Sequence, residues 1–215
     1  LAAAVVKEGE IVSAGAVGTR RFGADIPVRL DDRFHIGSDT KAMTALLAAI
    51  LVDSSKLRWD STVAEVFPEL ASTMNAELKK VTLQQLLSHS SGMPSDNEAM
   101  GIVLDRAGLQ KGNLDQMRYW IIQQWSVQPL ASVPGAGFAY SNIGYLFAGA
   151  MIERAAGRTW EELISEWIFD PLGLKSAGLG PQAKLGRIDA PLGHTTVDGK
   201  TTACLSGPNG DNPPV

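Results

Sequence analysis

The chain has 215 residues, 45% apolar and 20% charged, with a net charge of −4 and a mean hydropathy near zero. That composition fits a globular protein with a sizeable core, in one domain or one domain carrying an insertion. The mild negative charge and scattered basic residues give no electrostatic footing for nucleic acid or an anionic membrane surface.

Cys204 is the only cysteine, so no internal disulfide is possible, and His35, His89 and His194 lack metal-ligand spacing. The opening LAAAVV has no basic n-region and is interrupted by Lys7 and Glu8, unlike a signal peptide. The longest apolar run, 42–52, falls short of the roughly 20 residues of a membrane span.

In chain order, residues 2–7 and 11–18 predict two strands joined by a turn at Glu8–Gly9–Glu10. RFHI, 33–36, reads as another short extended piece. Residues 39–53 are apolar nearly all round, which predicts a buried helix. Further helical patterns cover 82–87, 98–107, 114–125, 142–157 and 159–168, the last opened by a Thr159/Glu162 capping box. Gly and Pro punctuate the joins. Strands at the front and helices in the middle predict an α+β fold, or a helical domain inserted into a sheet domain. Leu1 stands almost inside the first strand, and SGPNGDNPPV has loop composition, so the expectation is a fragment of a larger fold.

Ser38 and Lys41 open the apolar stretch. Ser, Asp and Thr before a helix are favoured caps, and that is the plain structural reading of Ser38. Three features favour chemistry. The i, i+3 spacing puts both side chains on one helix face. Lys41 falls in the first turn, where the helix dipole disfavours a cation; a lysine working as an uncharged base suits that place. Gly37 leaves room for a substrate to approach the backbone.

A second stretch, PGAGFAYSNIGYLFAGAMIE at 134–153, sets Tyr140-Ser141-Asn142 before another apolar helix. Asn142 suits an N-cap and Tyr140 suits core packing. Beside Ser38 and Lys41, however, a phenol can relay a proton, and an amide offers a donor and an acceptor to a substrate.

These stretches, with VTLQQLLSHSSGMP, WEELISEWIFDPLGL and PLGHTTVDGK, resemble the serine β-lactamase and penicillin-binding-protein-like hydrolases. The resemblance is to the class C β-lactamase and family VIII carboxylesterase branch, and it covers most of residues 2–215. It implies a nucleophile at Ser38, a base at Lys41, a second proton-handling group at Tyr140 and a substrate-orienting amide at Asn142. It implies an antiparallel sheet domain, residues 1–37 and 186–215, with an inserted all-helical domain, 38–185, and the site at their junction. It implies an acyl-enzyme formed with a β-lactam, carboxylic ester or peptide-like amide, without cofactor or metal. The alternative is a penicillin-sensing or ligand-binding domain of the same fold that does not turn over. A small-molecule substrate is the expected partner, with neither nucleic acid nor a membrane span. The compartment stays open between bacterial periplasm and cytoplasm.

Ser95-Asp96-Asn97 spells the SDN of class A β-lactamases. It follows Pro94 in loop composition, so Tyr140 is preferred and Ser95 is expected as a turn or cap residue. His35 is expected to satisfy a backbone group from a strand; His89 and His194 receive no chemistry. The Gly-x-Ser-x-Gly elbow of α/β-hydrolases is absent. No Lys-Thr-Gly or His-Thr-Gly triplet follows residue 142, because GHTT at 193–196 and GKTT at 199–202 lack the glycine. The resemblance implies such a triplet on a sheet strand lining the site, where it also supplies an oxyanion-hole N–H; that strand is expected beyond Val215, which leaves the sheet incomplete in this chain or completed by a separate C-terminal fragment.

Overall fold

A computed structural model of the chain describes residues 1–95, 98–107, 109 and 112–204. The fold is α+β and the described residues divide into two compact units, one of 1–37 with 176–204, the other of 38–175.

In the first unit, strands β1 (Ala2–Lys7) and β2 (Glu10–Ala16) form an antiparallel hairpin. Glu8 and Gly9 both take positive φ, the mark of a type I′ turn, whose twist matches the strands. A bulge at Val5/Val6 shifts the register. The hairpin's valines and isoleucine are exposed. The segment after it is fixed by Arg20, whose Nε donates to Asp32 Oδ2 at 3.0 Å and whose carbonyl accepts from Leu192 N–H at 2.8 Å.

A second hairpin, β3 (His194–Val197) and β4 (Lys200–Ala203), was not expected. It turns at Asp198-Gly199, again with both residues at positive φ. The Asp-Gly pair between Thr- and Val-rich runs was the available signal. GHTT and GKTT are thus the two arms of one ribbon. His194 accepts from Phe22 N–H through Nε2 at 2.9 Å, a structural bond.

The second unit is helical: α1 (Thr40–Asp53), α2 (Val63–Val66), α3 (Leu83–Leu87), α4 (Glu98–Ala107), α5 (Leu114–Trp125), α6 (Asn142–Ala156) and α7 (Trp160–Ile164). Helix α7 runs into a π-helical stretch, Ser165–Phe169. Helix α2 was missed in the sequence, although its Thr62/Glu65 capping box is the same signal that marked Thr159/Glu162.

Helix α6 is the centre. It packs against α1, α2, α3, α5 and α7, and Ile143, Phe147, Ala148, Met151 and Ile152 are fully buried. Ser141 caps its start by accepting from Gly144 N–H at 3.2 Å, and Gly157 in the left-handed region ends it. The sequence pointed to Asn142 as a cap. Ser141 takes that role because it holds the extended backbone one residue earlier, which leaves the Asn142 side chain for other use.

Two corrections concern the segment around residue 38. Residues 33–36 form no strand; His35 instead accepts from Gly37 N–H at 3.1 Å, a local turn bond. Helix α1 is not buried all round. It buries Thr44, Leu47, Ala48 and Leu51, a stripe at helical spacing. Ala42 and Leu46 on another face are exposed, because α1 meets α6 and α7 through that one stripe.

A buried ion cluster ties the helices together. Arg118 of α5 pairs with Glu153 of α6 and, at 2.7 Å, with Glu161 of α7. Glu153 also accepts from Trp160 N–H at 2.8 Å, and Trp160 Nε1 donates to Thr44 of α1 at 3.2 Å. Breaking such a cluster on one side leaves a buried charge unpaired. We expect Phe147→Ala to cost about 3–5 kcal/mol through the cavity it leaves in α6, read as a lower thermal midpoint; an unchanged midpoint would contradict the central placing of α6.

Candidate active site

Ser38 lies in a single 3₁₀ turn, Gly37–Asp39, that leads into α1. Gly37 has φ +52, a conformation that suits glycine. Asp39, not Ser38, occupies the N-cap position of α1, and it makes no side-chain capping bond. The Ser38 hydroxyl is therefore not spent on the helix end. It lies 2.5 Å from the Tyr140 hydroxyl, and Lys41 Nζ donates to it at 3.2 Å. Lys41 also donates to Asn142 Oδ1 at 2.6 Å. All four residues singled out from the sequence meet at one point, although 102 positions separate Ser38 from Tyr140.

The exposure is graded. Ser38 is exposed, Tyr140 is 37% exposed, and Lys41 and Asn142 are half-buried. The exposed Ser38 forms the outer side of this cluster, and the half-buried Lys41 and Asn142 lie deeper. Lys41 Nζ lies 4.8 Å from the centre of the Tyr140 ring and 5.3 Å from that of Tyr145. The acceptor-only Oδ1 of Asn142 commits one Lys41 N–H and so orients the amine toward Ser38.

Tyr140 is held from several sides. Ser95 Oγ donates to the Tyr140 carbonyl at 2.7 Å. Ser95 is thus a brace on the Tyr140 backbone, while Asp96 and Asn97 lie outside the described residues. The ring of His89 packs on that of Tyr140, with centroids 4.5 Å apart. Tyr145, one turn into α6, donates to the Leu87 carbonyl at 2.8 Å and packs on His89 at 5.1 Å. Burial pushes the Tyr145 phenol up, with charge on Tyr140 adding.

Below these rings, residues 88–92 and 131–139 run together through backbone bonds. Gly135 N–H donates to the Ser90 carbonyl, and Ala131 N–H to the Gly92 carbonyl, both at 2.8 Å. Gly92 has φ +77, and a Cβ there would fall 2.1 Å from the Ser132 carbonyl oxygen. Only glycine permits that approach.

The bracing roles of His89, Ser95 and Tyr145 were not read from the sequence. Tyr145 carried a faint signal, standing three residues after Asn142 on one face of α6. Among the described residues, no group of three or more His, Cys, Asp or Glu side chains is placed to hold a metal ion, and no helix is long and apolar enough to cross a membrane. An open cleft of about 520 Å³ lies among Val52, Leu57, Arg58, Trp59 and Gln84 and includes none of the four meeting residues.

The chain belongs to the Beta-lactamase family, whose model matches residues 1–212. It is 29% identical over 179 residues to Penicillin-binding protein 4 of Amycolatopsis lactamdurans, a match covering 83% of this chain and 44% of that protein. It is 31% identical over 184 residues to Esterase EstB of Burkholderia gladioli, covering 82% and 46%. The crystal structure of D-amino acid amidase from Ochrobactrum anthropi SV3 superposes with a TM-score of 0.67 at 26% identity, covering 92% of this chain and 53% of that one. The fold is therefore β-lactamase/transpeptidase-like, and the relatives include an esterase and an amidase. The chain spans about half the length of these relatives.

Gly92→Ala is expected to lower stability by about 2 kcal/mol, from the strained φ and the clash with Ser132. Thermal denaturation checks this; a wild-type midpoint would mean the two segments separate without cost.

Proposed function

We propose that this chain carries the acylation machinery of a serine hydrolase that acts on a β-lactam, a carboxylic ester or a peptide-like amide. The observation that supports it is the shared hydrogen bonding of Ser38 Oγ by Lys41 and Tyr140. A serine hydroxyl is a weak nucleophile until a neighbouring base takes its proton.

The proposed reaction runs as follows. Lys41, as the free amine, or Tyr140, as the phenolate, takes the Ser38 proton. Ser38 Oγ adds to the substrate carbonyl carbon, and the Ser38 backbone N–H at the start of α1 is one donor to the resulting oxyanion. The bond from that carbon to the leaving nitrogen or oxygen breaks. Tyr140 or Lys41 returns the proton to the leaving atom, and the acyl group remains as an ester on Ser38. Water, activated by the same pair, then releases the acid and restores the hydroxyl. Asn142 holds Lys41 in line through Oδ1, and its amide group orients the substrate. No step calls for a cofactor.

The relatives' names support this range of substrates: they are a penicillin-binding protein, an esterase and an amidase. Nothing in the four meeting residues selects among these substrates.

Labelling by a fluorescent penicillin or a fluorophosphonate is expected for the wild type and lost in Ser38→Ala with the fold retained. Tyr140→Phe is expected to label about 10²–10⁴-fold more slowly. Undiminished labelling of Ser38→Ala would refute the assignment. Parallel turnover of nitrocefin and a p-nitrophenyl ester sorts the substrate class. A burst of one equivalent with no turnover would place the chain with non-turnover penicillin sensors.

A further inference from the structure

We infer that His89 is a positioning residue for Tyr140, and that protonation of its Nδ1 releases Tyr140 from Ser38 and gives the site an acid-side switch. This deepens the proposed function and rests on its reading of Tyr140 as a proton-handling group.

His89 grips the Tyr140 segment on both sides of the tyrosine. Its backbone carbonyl accepts from Ala139 N–H at 2.8 Å. Its side-chain Nδ1 accepts from Ser141 N–H at 3.1 Å. Between these two bonds its ring lies against the Tyr140 ring, with centroids 4.5 Å apart and planes at 34°. Phe138 meets the same imidazole edge-on at 5.5 Å, and the Tyr145 ring lies tilted at 41° to it, 5.1 Å away. The residue before Tyr140, Tyr140 itself and the residue after it are therefore all registered by one side chain and its own carbonyl.

The backbone of His89 is adapted to this. Its φ is +57, a region that a Cβ-bearing residue adopts rarely. The turn is set by the end of α3, where Ser88 caps the helix, and it aims the His89 carbonyl at Ala139.

The grip depends on one protonation state. An Nδ1 that accepts from Ser141 N–H carries no proton, so the neutral ring holds its proton on Nε2. Protonation at Nδ1 turns the acceptor into a donor facing another donor. It also sets a positive charge near the Lys41 amine. The titratable groups facing the ring among the described residues are Lys41 of α1, Tyr140, and Tyr145 of α6. Burial, with the charge of Lys41 adding, holds the imidazole below its ordinary 6.5. The neutral, gripping form therefore prevails at neutral pH and is lost as pH falls through that lowered value. Ser141 is also the N-cap of α6, so a disturbance of its N–H reaches Asn142 and through it Lys41.

A histidine that merely fills space predicts a change in stability and nothing more. The rate of labelling by a fluorescent penicillin, followed across pH on the full chain, separates the two. The wild type should lose labelling rate on the acid side of the ordinary imidazole range. His89→Asn keeps an acceptor oxygen near the Nδ1 position, tolerates the positive φ and does not titrate there; it should label within about threefold of wild type at neutral pH and lose that acid limb. His89→Ala should label about 10–100-fold more slowly than wild type at neutral pH, with the gap closing on the acid side. An unchanged acid limb in His89→Asn, or wild-type rates in His89→Ala at neutral pH, would overturn the inference. Absence of labelling in the wild type is a failure of the proposed function instead, and NMR of the unlabelled wild type then decides the His89 role. The Ser141 amide and Tyr140 ring resonances should move together with the His89 titration; resonances that ignore it would overturn the inference as well.

Discussion

Ser38 Oγ can touch both Lys41 and Tyr140 only because the first turns of α1 and α6 lie side by side. The packing around α6 holds that juxtaposition. Lys41 and Asn142 are each within the first two residues of their helices, and the 2.6 Å bond between them closes the two ends on each other. Deeper in, α1 and α6 are held by the apolar stripe of Thr44, Leu47, Ala48 and Leu51 against the buried face of α6. The Arg118–Glu153–Glu161 cluster and the Trp160–Thr44 bond fix α7 across both helices. A shift of either helix by even a fraction of a turn would separate groups that must stay within hydrogen-bond reach.

The electrostatics of the arrangement follow from the same geometry. Helix N-termini carry positive partial charge, and two of them converge beside Ser38, where the proposed reaction would develop negative charge. The side chains supplied are a hydroxyl, a phenol, an amide and an amine, with no carboxylate among the four that meet. The amine is spread over four contacts: Ser38, Asn142 and the rings of Tyr140 and Tyr145. Tyr140 is set from outside its own helix, by Ser95 at its carbonyl and by His89 at its ring and both neighbouring amides. The loop 88–95 therefore acts as the mould for the second half of the site, and Gly92 lets that mould close.

The long helices were legible because their signals are local. Helical patterns located α1, α5 and α6 to within a residue or so, and the Thr159/Glu162 capping box marked the start of α7. The meeting of Ser38, Lys41, Tyr140 and Asn142 was legible for a different reason: two short polar clusters, each opening an apolar helix, make sense together only if those helices adjoin. What escaped depends on tertiary packing. The exposed face of α1 cannot be read from a sequence that is apolar on all sides, since the neighbours that cover one stripe are distant in the chain. Ser141 took the cap from Asn142 because both residue types suit that position, and backbone geometry chose between them. Ser95 drew notice as a rival to Tyr140, yet its hydroxyl supports the Tyr140 carbonyl. His89 gave no sign of its grip on 139–141, because a lone histidine after a helix has no pattern that names its partners. The second hairpin and α2 were local signals that went unused.

The account turns on one atom, Ser38 Oγ, poised between an amine and a phenol. Its most direct measurement is peptide mapping by mass spectrometry after brief exposure of the wild-type chain to a fluorophosphonate. The account predicts one adduct per chain, on the tryptic peptide that contains Ser38 and at that serine. An adduct at Ser95, at another serine, or at none would contradict it.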